Sequence, residues 1–560
     1  MSTELRLLLA IVLSFLIFFV YQALFMDKPQ VHRVAPETKA VPDQPETPSG
    51  EGRVKPLQDV TAQTVEPFEP RNIQADLGPE RTITVSTDLY VAQLSEKAGA
   101  MKSFKLKGYR ESIEPNSPMK EIISLRGTPD AFTPVVSFLA SDGHLLHVGP
   151  FHADASQDTI DASRQTRSLQ FLWRSPEGIS MVKTYSFHPK TYEIGLEIKV
   201  ANLSGKPLDN SLAIAVRTLF DQAKSSRYAF SGPAVFIDGE LKEIKLKAIA
   251  KQPSLAGRIS WIANEDQYFA TAVVPEQPRK ARIHLAIGDN HVLQATYVDP
   301  ADPIASKTER TFRYRLYFGP KSLEALRHVG SDLGKMLDFG FFDLLAKPLL
   351  YIMNQIYRII PNYGIAIILI TIVVKLLFWP LSNKSYQSMS QMKRLQPKMA
   401  EIRAKYKNDK KMMNQELMNL YKLYKVNPLG GCLPMVLQIP VFFAFYRMLY
   451  QAIELRQAPF FWWINDLAAP DRLGSFDIKI PLMAPPYGIP VLTLIMGASM
   501  FLQQKMSPPP GDPAQAKMMM FMPIFFTFIF INFPSGLVLY WLVNNILSIA
   551  QQYYITKKTV

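Results

Sequence analysis

The 560-residue chain has one cysteine, Cys432, which excludes an internal disulfide and any cysteine-based metal cluster. Its eight histidines (His32, His144, His147, His152, His188, His284, His291 and His328) all lie outside the strongly apolar half that starts near Pro348. HExxH and P-loop patterns are missing, and His144 and His147 in HLLH have no third ligand beside them. Metal and nucleotide chemistry are therefore not expected, and neither is a cofactor. The long apolar runs also lack Asp and Glu, the groups a proton pump places in a membrane.

The net charge of +14 would suit a nucleic-acid binder, but its distribution does not. Lys and Arg gather beside apolar segments, where membrane topology places them. The first such segment, Leu7–Phe25, follows Arg6 and lacks a small-x-small cleavage site, so a retained signal anchor over 1–26 is expected. Residues 27–79 are rich in Pro, Glu, Gln and Thr and read as a flexible tether. From Arg81 short runs alternate apolar and polar residues: 82–85, 180–187, 192–200, 212–216, 244–246, 281–285 and 311–318. Period-two segments parted by Gly, Pro, Asn and Asp predict a large antiparallel β-sandwich over 80–330. Trp173 and Trp261 could stack on a sugar there, but core packing is the commoner use, and no paired carboxylates support glycoside chemistry.

Residues 331–362 mix apolar residues with charges just before a hydrophobic run, the pattern of an amphipathic helix lying in a membrane interface; packing on the sandwich is the alternative. The region 363–560 reads as five spans with a basic hairpin at 384–425, which holds eleven Lys or Arg against three acids. Met392, Leu395, Met399, Ile402 and Tyr406 recur at steps of three and four, as do Met413, Leu417, Leu420 and Tyr424. Two helices joined at Asn408-Asp409 would pair along these seams, leaving Lys393 and Arg394 in the basic arm and methionines as an adaptable surface. Apolar runs at 433–450 and 488–503 follow. The 38 residues of Met518–Ile555 would extend about 57 Å as one helix, far beyond a bilayer core, and Phe533-Pro534-Ser535-Gly536 breaks them into a hairpin. With the basic arm in the cytosol, six transmembrane helices leave both termini inside and the sandwich outside. Several spans are only about 24–26 Å long, which suggests locally thinned bilayer.

One charge interrupts the run Tyr363–Pro380: Lys375. It lies four residues after Thr371, on the same helical face, yet only about 7.5 Å before Pro380. It can therefore snorkel to the interface or face a wet interior. The other spans add Gln438, Asn532, Asn544 and Asn545, with Tyr540 and Trp541. A cation among amides with no neutralising acid suits a hydrated groove that attracts acidic or polar polypeptide.

The motifs Trp379-Pro380-Leu381, Leu395-Gln396-Pro397-Lys398, 426–432 (VNPLGGC), 454–460 (ELRQAPF), 504–508 (QKMSP) and 533–540 (FPSGLVLY) resemble the YidC membrane protein insertase family, relatives of the mitochondrial and chloroplast inner-membrane insertases. The match is specific over 340–555 and looser before it. It implies a multi-pass, non-enzymatic protein of the bacterial inner membrane, with a periplasmic sandwich, that inserts nascent membrane proteins alone or with the Sec translocon. It further implies that Lys375 is the groove charge, that Thr371, Gln438, Tyr540 and Trp541 line the groove, and that Asn532, Asn544 and Asn545 are further candidates. The hairpin, through Met392, Lys393, Arg394, Met399 and Met413, would meet substrate, ribosome or signal recognition particle. The family usually carries Arg at the charged position, and Lys keeps its charge without the bidentate fork. Trp541 stands where Tyr is common. The rival readings are an ion or solute transporter, which should show inverted repeats, and an anchored sugar-binding protein.

Overall fold

The computed structural model describes residues 80–124, 132–140, 145–220, 229–288, 291–300, 302–424, 426, 433–506 and 513–559. The expected anchor and tether, His144, most of the 426–432 motif and the Pro508–Gly511 turn lie outside these residues.

Alternation builds the sheet domain. Along Ile179–Phe187 the side chains of Met181, Lys183, Tyr185 and Phe187 point inward, and along Glu193–Asn202 those of Ile194, Leu196, Ile198 and Val200 do the same. These strands pair antiparallel, and Glu193–Asn202 pairs on its other side with Thr308–Pro320. They belong to a 14-stranded sheet, which shares one core with a five-stranded sheet built on Thr82–Ser86, Tyr90–Ser95 and Ala100–Arg110. The segment 244–246, expected as a strand, instead links the short strand Glu240–Glu243 to a helical turn, Leu246–Ile249.

Lys183 breaks the apolar row. Its Nζ donates to the Ala98 carbonyl at 2.8 Å and lies 3.9 Å from the centre of the Phe151 ring. A carbonyl and a ring face replace only part of a lost hydration shell, so burial pushes the ammonium down to about 7. Between about 7 and the ordinary lysine value near 10.4 the unfolded chain binds the extra proton, so this group makes stability rise with pH across that window. Lys183→Met is therefore expected to stabilise the chain by about 1–3 kcal/mol at pH 7 and to flatten that rise. Thermal unfolding from pH 6 to 10 measures both.

The outer face of the sheet is buried as well. Strand Phe269–Pro275 is covered on both sides: Phe269 and Val273 join the sandwich core, while Ala270, Ala272 and Val274 face helices. Small side chains let those helices approach closely. Trp261 belongs to this second core and stacks on Phe236 at 5.9 Å, so it is packing rather than a sugar platform; Trp173 packs against the sandwich core, partly buried. At the strand's edge Lys321 Nζ lies 2.7 Å from the Glu265 carboxylate, both buried. Burial pushes the Glu265 carboxyl up to about 7 although Lys321 pulls it down.

Helix α1 (Leu323–Val329) is capped by Ser322, whose Oγ accepts from the Ala325 amide at 3.3 Å. After two short 3-10 turns comes α2 (Asp343–Ile359), which buries Ala346, Leu350 and Met353 and exposes Leu344, Tyr351, Ile352 and Ile359. Then follow α3 (Tyr363–Leu377), α4 (Trp379–Lys405), α5 (Lys410–Leu423), α6 (Leu433–Gln451), α7 (Val491–Met506), α8 (Pro513–Phe530) and α9 (Ser535–Thr559). Among the described residues no single helix is long and apolar enough to cross a membrane; α3 and α4 satisfy that test together, bent by 64°. Pro380, in the first turn of α4, lacks the N–H that would bond back across the bend.

Helices α4 and α5 form the basic hairpin. Leu395, Met399 and Leu417 are buried in its seam, with Met392, Ile402, Met413, Leu420 and Tyr421 partly buried around them. Tyr421 takes the seam position expected of Tyr424, which is exposed and lies under Lys398.

Candidate functional site

The bundle is organised around α9, which contacts α3, α4, α6 and α7. Its N-terminus and that of α3 meet the loop 452–490. Gly364 of α3 lies so close to Phe460 that any β-carbon would sit 2.0 Å from the ring, and the Gly536 amide donates to Leu467 O at 2.9 Å. The opposite ends of α3 and α9 reach the hairpin.

Inside that loop three charged residues are held by hydrogen bonds. Asp471 Oδ2 caps α7 by accepting from the Leu492 amide at 2.5 Å, while Oδ1 accepts from Trp463 Nε1 at 2.6 Å. Asp466 Oδ1 accepts from the amides of Gln457 and Ala468 at 2.9 and 2.8 Å. Arg472 donates to the carbonyls of Pro486, Ile531 and Asp471 at 2.7–2.9 Å. The loop is also tied to the sheet domain. Arg456 Nη2 and Gln457 Nε2 both donate to Arg110 O, at 2.7 and 3.2 Å, and Ile453 enters the sandwich core.

Lys375 packs between helices. It is buried on the face of α3 that meets α9, and its Nζ donates to Ser548 Oγ at 2.6 Å and to Asn544 Oδ1 at 3.4 Å. Asn544 Oδ1 also accepts from Gln438 Nε2 of α6 at 2.8 Å. Three of the residues singled out from sequence thus meet in one polar cluster across three helices. Thr371 lies one turn away, buried, with its hydroxyl donating to Ile367 O of its own helix at 2.6 Å.

The aromatic pair flanks this cluster. Tyr540 stacks on Phe445 at 4.6 Å and its hydroxyl meets Gln438. Trp541 turns edge-on to Phe442 at 4.8 Å and to Phe530 at 4.9 Å. Two amides go elsewhere. Asn545 Nδ2 donates to Ser499 Oγ on α7 at 3.1 Å. Asn532 lies in the α8–α9 turn, where its amide holds Leu482 O at 2.7 Å and the Ala484 amide at 2.8 Å. In the hairpin, Lys393 and Arg394 are exposed, whereas Met399 is buried and Met392 and Met413 are partly buried in the seam.

Ser548 was not among the sequence candidates, although it is nearest to the charge. Its signal is the recurrence Tyr540, Asn544, Ser548, Gln551 at steps of four, four and three, one polar stripe of α9. Gln551 continues the stripe by donating to Asn383 Oδ1 at 3.1 Å.

Residues 82–352 match the family model described as the YidC periplasmic domain, and residues 355–560 match that described as 60Kd inner membrane protein. The membrane protein insertase YidC of Syntrophus aciditrophicus is 41% identical over 98% of this chain and 99% of its own length. That of Pelobacter propionicus is also 41% identical, over 99% of each chain. A crystal structure described as an active YidC insertase with the first transmembrane domain resolved covers 85% of this chain and 93% of its own, at 17% identity and a TM-score of 0.37. The chain belongs to the YidC family of bacterial inner-membrane protein insertases, which are not enzymes.

Proposed function

We propose that the chain inserts nascent membrane proteins by drawing a polar segment into a cytosol-facing groove charged by Lys375. The observation that carries this is a buried cation held by neutral partners, Ser548 and Asn544. Amide and hydroxyl dipoles stabilise an ammonium without cancelling its charge, so its field stays available to an incoming carboxylate. In this reading the chain has six spans with both termini cytosolic, an N-terminal anchor and tether before the sandwich, and α2 lying in the outer interface. A substrate tail enters from the hairpin side, its apolar segment slides along the bundle into lipid, and the tail leaves on the sandwich side. Short spans and a thinned bilayer shorten that crossing. Tyr540 and Trp541 offer aromatic faces to the sliding segment.

The hairpin serves as the cytosolic contact for substrate, ribosome or signal recognition particle through its exposed Lys393 and Arg394, with Met392, Met399 and Met413 holding its two helices together. The Sec translocon is a partner for longer clients. The test is reconstituted insertion of a single-span protein with a short acidic tail. Lys375→Ala is expected to lower the inserted fraction about tenfold, the worth of one charge-assisted hydrogen bond, and Lys375→Arg to retain most of it. Equal insertion by all three proteins defeats the groove-charge mechanism.

A further inference from the structure

We propose that Ser548 and Asn544 are positioning residues that fix the Lys375 ammonium between α3, α6 and α9; the consequence for insertion rests on the groove reading above. Ser548 is 3% exposed. Its hydroxyl proton is committed to Asn544 O, one turn back, at 2.7 Å, which leaves only lone pairs facing outward. One receives Lys375 Nζ at 2.6 Å. The serine therefore acts toward the ammonium as a fixed acceptor that cannot turn its proton against it.

Asn544 has a matching constraint. Its Oδ1 already accepts from Gln438 at 2.8 Å and takes Lys375 as a second, longer donor at 3.4 Å. The amide is thus oriented oxygen-first by α6 before the lysine arrives. Since Asn544 and Ser548 lie four residues apart on one face of α9, they present two acceptors along the length of the ammonium's reach.

A lysine on a four-carbon stem otherwise samples many rotamers. Pinned at two points, it directs its remaining N–H one way and offers an acidic tail a single docking geometry. The pinning is uncharged, so position is fixed without neutralisation. The same contacts also join three helices at the cation, so a tail that takes the ammonium from Ser548 loosens α3 from α9 as it binds.

The test uses the full chain in nanodiscs. Modification of Lys375 by a small amine-reactive acetylating reagent is followed by peptide mass spectrometry for wild type, Ser548→Ala and Ser548→Thr. Alongside, insertion of acidic-tail and neutral-tail substrates is compared for these proteins and Lys375→Ala. Ser548→Ala is expected to raise Lys375 modification roughly tenfold, as one hydrogen bond to a charged group is lost, and to reduce the acidic-over-neutral insertion ratio. Ser548→Thr keeps the hydroxyl and is expected to keep both wild-type values. Unchanged modification in Ser548→Ala overturns the proposal, and so does a rise that Ser548→Thr shares, since that reports loosened packing. Raised modification in Ser548→Ala alone, with an insertion ratio that neither it nor Lys375→Ala alters, supports the positioning and defeats the groove-charge reading instead.

Discussion

Lys375→Glu is expected to abolish insertion of an acidic-tail substrate, by on the order of 10²-fold against wild type in a protease-protection assay on proteoliposomes. The variant does more than remove attraction. Losing the attraction costs about tenfold, as in Lys375→Ala, and a repulsion of similar size costs about tenfold again. The cluster cannot adapt cheaply either. Asn544 presents an oxygen toward position 375 because Gln438 donates to it from the other side, so turning the amide to greet a carboxylate breaks that bond. The Ser548 proton is already given to Asn544 O. A glutamate therefore meets acceptors where the lysine met partners, and a buried carboxylate without donors is strongly disfavoured. A neutral-tail substrate should suffer less, because only the loss within the cluster applies to it. Equal losses for both tails would mean that the substitution acts on the bundle alone.

Lys321→Met is expected to destabilise the sheet domain by about 3–5 kcal/mol, the usual cost of stranding one member of a buried ion pair. Glu265 would keep its burial and lose the contact at 2.7 Å, with Glu243 and Asp266 adding repulsion nearby. Its carboxyl, already pushed up to about 7, would move higher and remain protonated at neutral pH. In the native pair the folded state binds the proton more tightly than the unfolded chain between about 4.5 and about 7. Stability from this group therefore falls as pH rises through that window, and in Lys321→Met the fall continues above pH 7. Adding Glu265→Gln removes the titrating group and should recover most of the loss, since a neutral amide needs no counter-charge. Thermal unfolding of the purified chain at pH 5 and pH 8 reads both effects. A single substitution as stable as wild type at pH 8 would show that water reaches Glu265.

The alternating strands were legible because one face of each meets the core. Ile179–Phe187 and Glu193–Asn202 appear within two residues of the expected segments. Phe269–Pro275 was missed because both of its faces are buried and no alternation remains to be read. At the site, Lys375 and the amides Gln438 and Asn544 stood out as polar groups in apolar runs. Composition could not say which way each pointed. Asn545 follows Asn544 by about 100° around the helix, enough to hand it to Ser499 on a different helix. Asn532 falls where α8 ends, so it serves the turn. Ser548 was hidden for the opposite reason: a small hydroxyl is unremarkable in a helix until its periodicity with Asn544 is set beside a lysine on another element. The hairpin methionines were visible as a seam, and the seam closes over them.

The knitted loop between α6 and α7 has an electrical consequence. Asp466, Asp471 and Arg472 spend their hydrogen-bonding capacity on backbone groups and on Trp463, and Gly364 meets Phe460 with no space between them. In the groove reading proposed above, this loop closes the outer end of the recess, so the membrane voltage falls across it. On that reading the voltage pulls an acidic tail outward once the tail has reached the cation.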